Sequence, residues 1–120
     1  MTHTIEELLA LAPVIPVLVI DNLDDAVPLA AALVEGGLPV LEITLRTPVA
    51  LAAMKAIASQ VPGALVGVGT VISTDEMEQS IDAGAAFAVS PGCTSELATR
   101  AAGFELPYLP GVAGPSDVMR

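Results

Sequence analysis

The sequence repeats one unit, in which an alanine-rich amphipathic stretch, a glycine or proline break and a short apolar run follow one another. The apolar runs predict strands at Val14–Ile20, Val40–Leu45, Leu65–Gly69, Phe87–Ser90 and Tyr108–Gly111. Their starts are separated by 26, 25, 22 and 21 residues. Helices are predicted between them at Leu23–Glu35, Pro48–Ser59, Asp75–Ala83 and Ser95–Ala102. This alternation is typical of βα units around a parallel sheet.

Regular spacing and short connections favour a (β/α)8 barrel over an open doubly wound sheet. The open sheet would need a glycine-rich fingerprint after the first strand, and Ile20-Asp-Asn-Leu23 contains no glycine. Eight units of this size need roughly 190 residues, near the lower end for barrels. Because the chain has 120 residues and five predicted strands, we expect residues 1–120 to form a single incomplete TIM-barrel domain, an α/β fold truncated after about five units.

Helix starts carry residues that usually cap helices. The expected N-caps are Asp21 or Asn22 for the first helix, Thr47 for the second, Thr74 for the third and Thr94 for the fourth. Pro48 then occupies the first helical position of the second helix, where proline is tolerated. Local chemistry and hydrophobic pattern therefore agree in every unit.

Composition excludes several classes of function. Four basic against 14 acidic residues give a net charge of −10, which makes nucleic acid a poor partner. The apolar stretches are short or broken by proline and glycine, so no membrane span is expected, and two early acids argue against a secretory signal. A cytoplasmic location is therefore expected. With Cys93 and His3 the only residues of their types, neither a disulfide nor an ordinary zinc site can be assembled, so we expect no metal and no cofactor.

Glu42 is the main candidate for chemistry. Period-two alternation places Val40, Glu42, Thr44 and Arg46 on one face of the second strand and Leu41, Ile43 and Leu45 on the other. A carboxyl group facing a barrel interior loses water, so its pKa rises toward the range that a general acid or base requires. The alternative is a solvent-facing acid on an edge strand.

Three further positions could bind a substrate at the same edge of the sheet. Arg46 could hold a carboxylate or phosphate with its planar guanidinium, or could be an ordinary loop arginine. Thr70 follows two glycines that would let a ligand approach the backbone, although a simple turn residue fits equally well. Pro91 lies in the rigid turn Ser90-Pro91-Gly92, for which plain turn chemistry is the simpler interpretation.

Two nucleophiles are better explained by packing. Lys55 is the chain's only lysine and a possible Schiff-base amine, but it falls at the rim of a predicted helix stripe, where a surface lysine is usual. Cys93 could be a modestly activated thiol near a helix start, but a small packed residue is the simpler interpretation.

Four motifs in order resemble those of the bacterial 2-keto-3-deoxy-6-phosphogluconate (KDPG) and 2-keto-4-hydroxyglutarate (KHG) aldolases. They are Val40-Leu-Glu-Ile-Thr-Leu-Arg-Thr47, Val66-Gly-Val-Gly-Thr-Val71, Ala88-Val-Ser-Pro-Gly92 and Leu109-Pro-Gly-Val112 followed by Gly114-Pro-Ser-Asp117. The resemblance implies a homotrimeric barrel of carbohydrate metabolism, in the Entner-Doudoroff pathway. It also implies a metal-free class I aldolase that releases pyruvate and an aldehyde, glyceraldehyde 3-phosphate in the main case.

The resemblance also assigns roles to residues of this chain. It implies that Glu42 is the general acid/base, that Arg46 and Thr70 hold the pyruvyl carboxylate, and that Pro91 lines the same pocket. In the family, the Schiff-base lysine lies on the sixth strand in a Lys-Phe-Phe-Pro type motif, which this sequence lacks. We therefore expect the 120-residue chain to be inactive alone.

Two other functions stay open at this point. One is a catalytically silent half-barrel that acts as an assembly or complementation partner. The other is a different phosphate-handling barrel enzyme, such as an epimerase or a synthase. In every case, five strands leave two sheet edges without neighbours, and inner residues such as Val17, Val40 and Val68 are expected to lose their cover.

Overall fold

The computed structural model describes residues 2–120, which form one parallel sheet with helices packed along it. The strands are β1 (Val17–Leu18), β2 (Val40–Thr44), β3 (Leu65–Gly69), β4 (Ala88–Ser90) and β5 (Tyr108–Pro110). The helices are α1 (Ile5–Ala10), α2 (Ala26–Glu35), α3 (Ala50–Gln60), α4 (Thr74–Asp82), α5 (Ser95–Gly103) and α6 (Pro115–Met119), and a 3-10 turn (Leu23–Asp25) precedes α2. Every helix within residues 2–120 is too short or too polar to cross a bilayer.

The predicted alternation of strands and helices is confirmed, and the strand order in the sheet is β1-β2-β3-β4-β5. The central pair is the longest, with Val40 opposite Leu65 and Thr44 opposite Gly69. The first strand is much shorter than the predicted Val14–Ile20, and Pro16, directly before it, has no N–H group to donate. The carbonyl of Pro16 still accepts a hydrogen bond from the Glu42 amide at 3.0 Å.

The capping predictions are right in two helices and wrong in two. Asn22 caps the 3-10 turn and Thr94 caps α5 through their side chains. The cap of α4 is Ser73 rather than Thr74. Thr47 caps no helix. Its hydroxyl instead donates to the carbonyl of Ile20, which links the loop after β2 to the loop after β1. A turn through Pro48 follows, and α3 begins only at Ala50.

The two faces of the sheet are covered differently. Leu41 and Ile43 point to the helices and belong to the main core, together with the helix side chains Met54 and Ile57. This confirms the predicted alternation along β2. The opposite face carries a small apolar cluster around Phe87, and α1 packs against this cluster. Its buried members are Leu8, Val40 and Phe87.

The expected exposure of the inner face is confirmed at only one of three positions. Val17 is 57% exposed, whereas Val40 and Val68 are fully buried. Val40 is covered because Leu8 of α1 packs beside it. Val68 points to the helices rather than to the inner face, since it belongs to the main core. Apolar surface is therefore left uncovered at β1, and Val19, just after that strand, is also exposed.

Candidate active site

The carboxyl ends of β2, β3 and β4 lie side by side, and they bring the predicted site residues to one edge of the sheet. Glu42 projects from β2, Arg46 follows in the turn after that strand, and Thr70 and Pro91 come directly after β3 and β4. Loops at this edge carry catalytic residues in barrel enzymes. The structure thus places the four candidates on three neighbouring strand ends.

Glu42 is the one buried ionisable residue in the described part of the chain, with 9% of its surface exposed. Burial raises the pKa of its carboxyl group, and the positive charge of Arg46 partly offsets this. Burial and the charge of Arg46 are the causes of the shift in its pKa.

Arg46 and Thr70 occupy different kinds of backbone. The Arg46 side chain is exposed in a turn, near enough to Glu42 for its charge to lower the carboxyl pKa. Thr70 has a φ of 65°, in the left-handed region that a β-branched residue rarely adopts. Hydrogen bonds hold the chain on both sides of it, from the Leu45 amide to the Gly69 carbonyl at 2.9 Å and from the Val71 amide to the Val89 carbonyl at 3.3 Å. Such strained residues are concentrated at functional sites.

The turn that contains Pro91 is held by side chains that the sequence did not single out. The Ser90 hydroxyl donates to the Gly92 carbonyl at 2.6 Å. Because that hydroxyl has a single proton, the Tyr108 hydroxyl, 2.6 Å away, must be the donor in the second bond. The Gly111 amide also donates to the Ser90 carbonyl. Two neighbouring strand ends therefore fix the position of the exposed Pro91.

The two glycines of β3 have a different use from the predicted one. The sequence predicts that they leave the backbone open to a ligand, but their space is filled by the protein itself. A Cβ atom on Gly67 would collide with the ring of Phe87, and one on Gly69 would collide with the carboxyl of Glu42. A pattern of glycine, valine, glycine beside a strand with an inward-facing glutamate could have indicated this packing.

Lys55 lies on the other side of the sheet from Glu42, whereas Cys93 follows the turn that contains Pro91. Lys55 is exposed on α3, which packs on the helix-covered face of the sheet, opposite the face of Glu42. Cys93 is partly buried, and its carbonyl accepts a hydrogen bond from Arg120. No cluster of three or more His, Cys, Asp and Glu side chains that could hold a metal ion occurs within residues 2–120.

A parallel βα sheet with a desolvated carboxyl at its carboxyl edge is typical of the TIM-barrel class of α/β proteins. Within that class, the chain belongs to the KDPG and KHG aldolase family, whose model matches residues 5–120. It is similar to the 2-dehydro-3-deoxy-phosphogluconate aldolase of Zymomonas mobilis, with 53% identity over 115 residues that make up 96% of this chain and 55% of that protein.

Solved structures agree with the sequence match. The KDPG aldolase of Zymomonas mobilis has a TM-score of 0.94 and 51% identity, covering 98% of this chain and 56% of that one. The KDPG aldolase of Legionella pneumophila, with pyruvate captured as a covalent carbinolamine intermediate, has a TM-score of 0.90 and 49% identity, covering 94% of this chain and 55% of that one. The chain thus spans about half the length of its relatives and forms a partial barrel.

Proposed function

We propose that this chain forms the proton-transfer and carboxylate-binding part of a class I aldolase. Its substrate is 2-dehydro-3-deoxy-6-phosphogluconate, which is cleaved to pyruvate and glyceraldehyde 3-phosphate. Activity on 4-hydroxy-2-oxoglutarate is included because the matching family covers both substrates. The observation that carries the proposal is the buried carboxyl of Glu42, whose pKa is raised at the carboxyl edge of this family's sheet. Residues 1–120 are proposed to be one incomplete barrel domain.

Glu42 acts as the proton carrier in this proposal. An amine adds to the substrate ketone, and the carbinolamine loses its hydroxyl as water with a proton from Glu42, which leaves a protonated imine. The carboxylate then takes the proton of the C4 hydroxyl while the C3–C4 bond breaks. The bonding electrons move toward the imine nitrogen and leave the enamine of pyruvate. A raised pKa keeps more of the acid protonated near neutral pH than in an exposed glutamate.

Arg46 and Thr70 bind the substrate carboxylate. A guanidinium group can pair with a carboxylate through two parallel N–H bonds, and Arg46 stands in the turn after β2, near enough to Glu42 for its charge to lower the carboxyl pKa. The Thr70 hydroxyl is a further donor at the neighbouring strand end. Pro91 forms an exposed wall of the same pocket. Together they hold the substrate's keto acid end next to the Glu42 carboxyl.

The strands of this chain carry no lysine that could supply the amine of the imine. Its one lysine, Lys55, is exposed on a helix, on the other side of the sheet from Glu42. Without an imine, the electron pair of the breaking bond has no acceptor, and neither Glu42 nor Arg46 can replace it. We therefore propose that the 120-residue chain has no aldolase activity by itself. The homotrimer that the family resemblance implies and the cytoplasmic location both stay predictions.

Trapping with pyruvate and borohydride, followed by mass measurement, tests the proposal. The 120-residue chain should gain no pyruvate mass. A hybrid in which the C-terminal part of the Zymomonas mobilis aldolase follows Arg120 should gain one adduct and should cleave the substrate. Lys55→Arg is the matched control, and it should change neither result. An adduct on Lys55 of the isolated chain would contradict the proposal.

An assembly role without catalysis is the second candidate. It is favoured by the apolar surface at β1, where Val17 and Val19 are exposed beside an unpaired strand edge. The test mixes the chain with a separately produced C-terminal part of the same relative. A complex that cleaves the substrate supports the aldolase proposal. A complex that forms but cleaves nothing, while the covalent hybrid is also inactive, supports the silent assembly role.

A further inference from the structure

The Glu42 carboxyl occupies the space that a side chain on Gly69 would fill. A Cβ atom built on Gly69 would lie 2.8 Å from Cδ and 2.9 Å from Cγ of Glu42, and closer still to Oε1. Real Cβ atoms essentially never approach other atoms below 3.0 Å. The missing side chain at this position is therefore what lets the carboxyl lie against β3.

Backbone conformation does not explain the glycine. Gly69 ends a regular strand, and it is not among the glycines with positive φ, which are Gly37, Gly63 and Gly84. Any residue could adopt its backbone conformation, so space rather than flexibility is the requirement.

The strand register shows why the carboxyl reaches this particular place. Glu42 is paired with Gly67, not with Gly69, but the ring of Phe87 already covers Gly67. The Glu42 side chain consequently leans toward the carboxyl edge, by about 6.6 Å or two strand residues. The ring of Phe87 fills the space over Gly67, whereas Gly69 has no side chain and leaves room for the Glu42 carboxyl.

We propose that Gly69 is a positioning residue for the acid/base Glu42. The proposal rests on the function assigned to Glu42 above, and it adds that a residue with no reactive group determines where the carboxyl stands. Because the Leu45 amide holds the Gly69 carbonyl, the backbone cannot retreat from an added methyl group. The flexible Glu42 side chain must move instead, toward solvent and toward Arg46.

Gly69→Ala tests this in the hybrid, in which a closed barrel leaves no unpaired strand edge, with the glutamate carboxyl carbons labelled with 13C. The resonance that disappears in Glu42→Gln identifies Glu42. In Gly69→Ala, we expect the pKa of Glu42 to fall toward the ordinary glutamate value of about 4.3, because the carboxyl is displaced to solvent and closer to the Arg46 charge. Gly103→Ala is the matched control, since nothing lies within 4 Å of its new Cβ, and it should leave the Glu42 titration unchanged.

A double variant covers the possibility that Gly69→Ala disturbs folding. In Gly69→Ala with Glu42→Ala, the collision is gone, so the double variant should be as stable as Glu42→Ala alone. A loss of stability that persists without the Glu42 side chain would overturn the proposal, as would an unchanged Glu42 titration in a folded Gly69→Ala. In the hybrid, Gly69→Ala should lower turnover by about 10²-fold. Wild-type turnover in Glu42→Gln would instead overturn the proposed function and leave the titration result standing.

Discussion

Exposed valines at β1 should make the isolated chain associate with itself. Val17 is 57% exposed and Val19 is 47% exposed, and β1 has no neighbour on its outer side among residues 2–120. Unpaired strand edges with apolar side chains are templates for pairing with another chain. The net charge of −10 opposes association, but salt at 0.1 M screens that repulsion beyond about 10 Å.

The size of the effect follows from the exposed fractions. Fully burying one valine contributes about 1.5–3 kcal/mol, and about half of each side chain is still exposed. Covering the rest of Val17 and Val19 together should therefore contribute about 1.5–3 kcal/mol, or roughly 10- to 100-fold in the association constant. In Val17→Thr with Val19→Thr, each buried methyl becomes a hydroxyl, whose burial without a partner costs about 1–3 kcal/mol. Association should weaken by at least the same factor.

Sedimentation velocity over a concentration series measures this directly. The unchanged chain should sediment as an oligomer or aggregate at physiological salt, and more strongly so at higher salt. The double variant should shift toward monomer. Val118→Thr is the matched control, because Val118 is 72% exposed on α6 and does not lie at β1, and it should leave the distribution unchanged. A monodisperse monomer of the unchanged chain would refute the reasoning.

Two further predictions use urea unfolding of the hybrid, in which a closed barrel leaves no unpaired strand edge to associate. Phe87→Ala should lower the free energy of unfolding by about 3–5 kcal/mol, because the ring is fully buried over Gly67; a loss under about 1 kcal/mol would contradict this packing. Burial raises the folded-state pKa of Glu42, so its proton stabilises the fold at low pH, and this contribution is lost as pH rises through the folded-state pKa. Glu42→Gln should therefore become more stable relative to the glutamate protein as pH rises above about 4.3, until the pH passes the folded-state pKa, and the difference should stop changing with pH below about 4.3. A difference that did not depend on pH would argue against a buried carboxyl.

Much of the fold could be predicted because hydrophobic pattern and turn residues agree along the chain. β3 was predicted with its observed bounds, and the alternation along β2 placed Glu42 on the correct face. The length of β1 was not predictable from apolar residues alone, because pairing with β2 is limited to Val17 and Leu18 and Pro16 before them has no backbone donor. The small helix α1 depends on a local capping box between Thr4 and Glu7, which lies outside the repeating unit.

The site was predictable only in part, because its precision depends on contacts between strands. Periodicity indicates that Glu42 faces inward, but it does not indicate that the side chain leans over Gly69. The left-handed backbone conformation of Thr70 likewise could not be predicted from its residue type, since threonine disfavours that conformation. The bond between Ser90 and Tyr108 joins residues 18 positions apart, and only the parallel pairing of β4 with β5 brings them together.

Turnover of the hybrid with and without the Glu42 carboxyl tests the central claim most directly. Glu42→Gln keeps the size of the side chain and removes its acid, so cleavage of 2-dehydro-3-deoxy-6-phosphogluconate should slow by about 10²- to 10⁴-fold. Arg46→Ala should mainly raise KM, since its role is to bind the carboxylate. Glu35→Gln, at the exposed end of α2, is the matched control and should retain turnover. Turnover of Glu42→Gln equal to that of the control would contradict the assignment of this residue as the general acid/base.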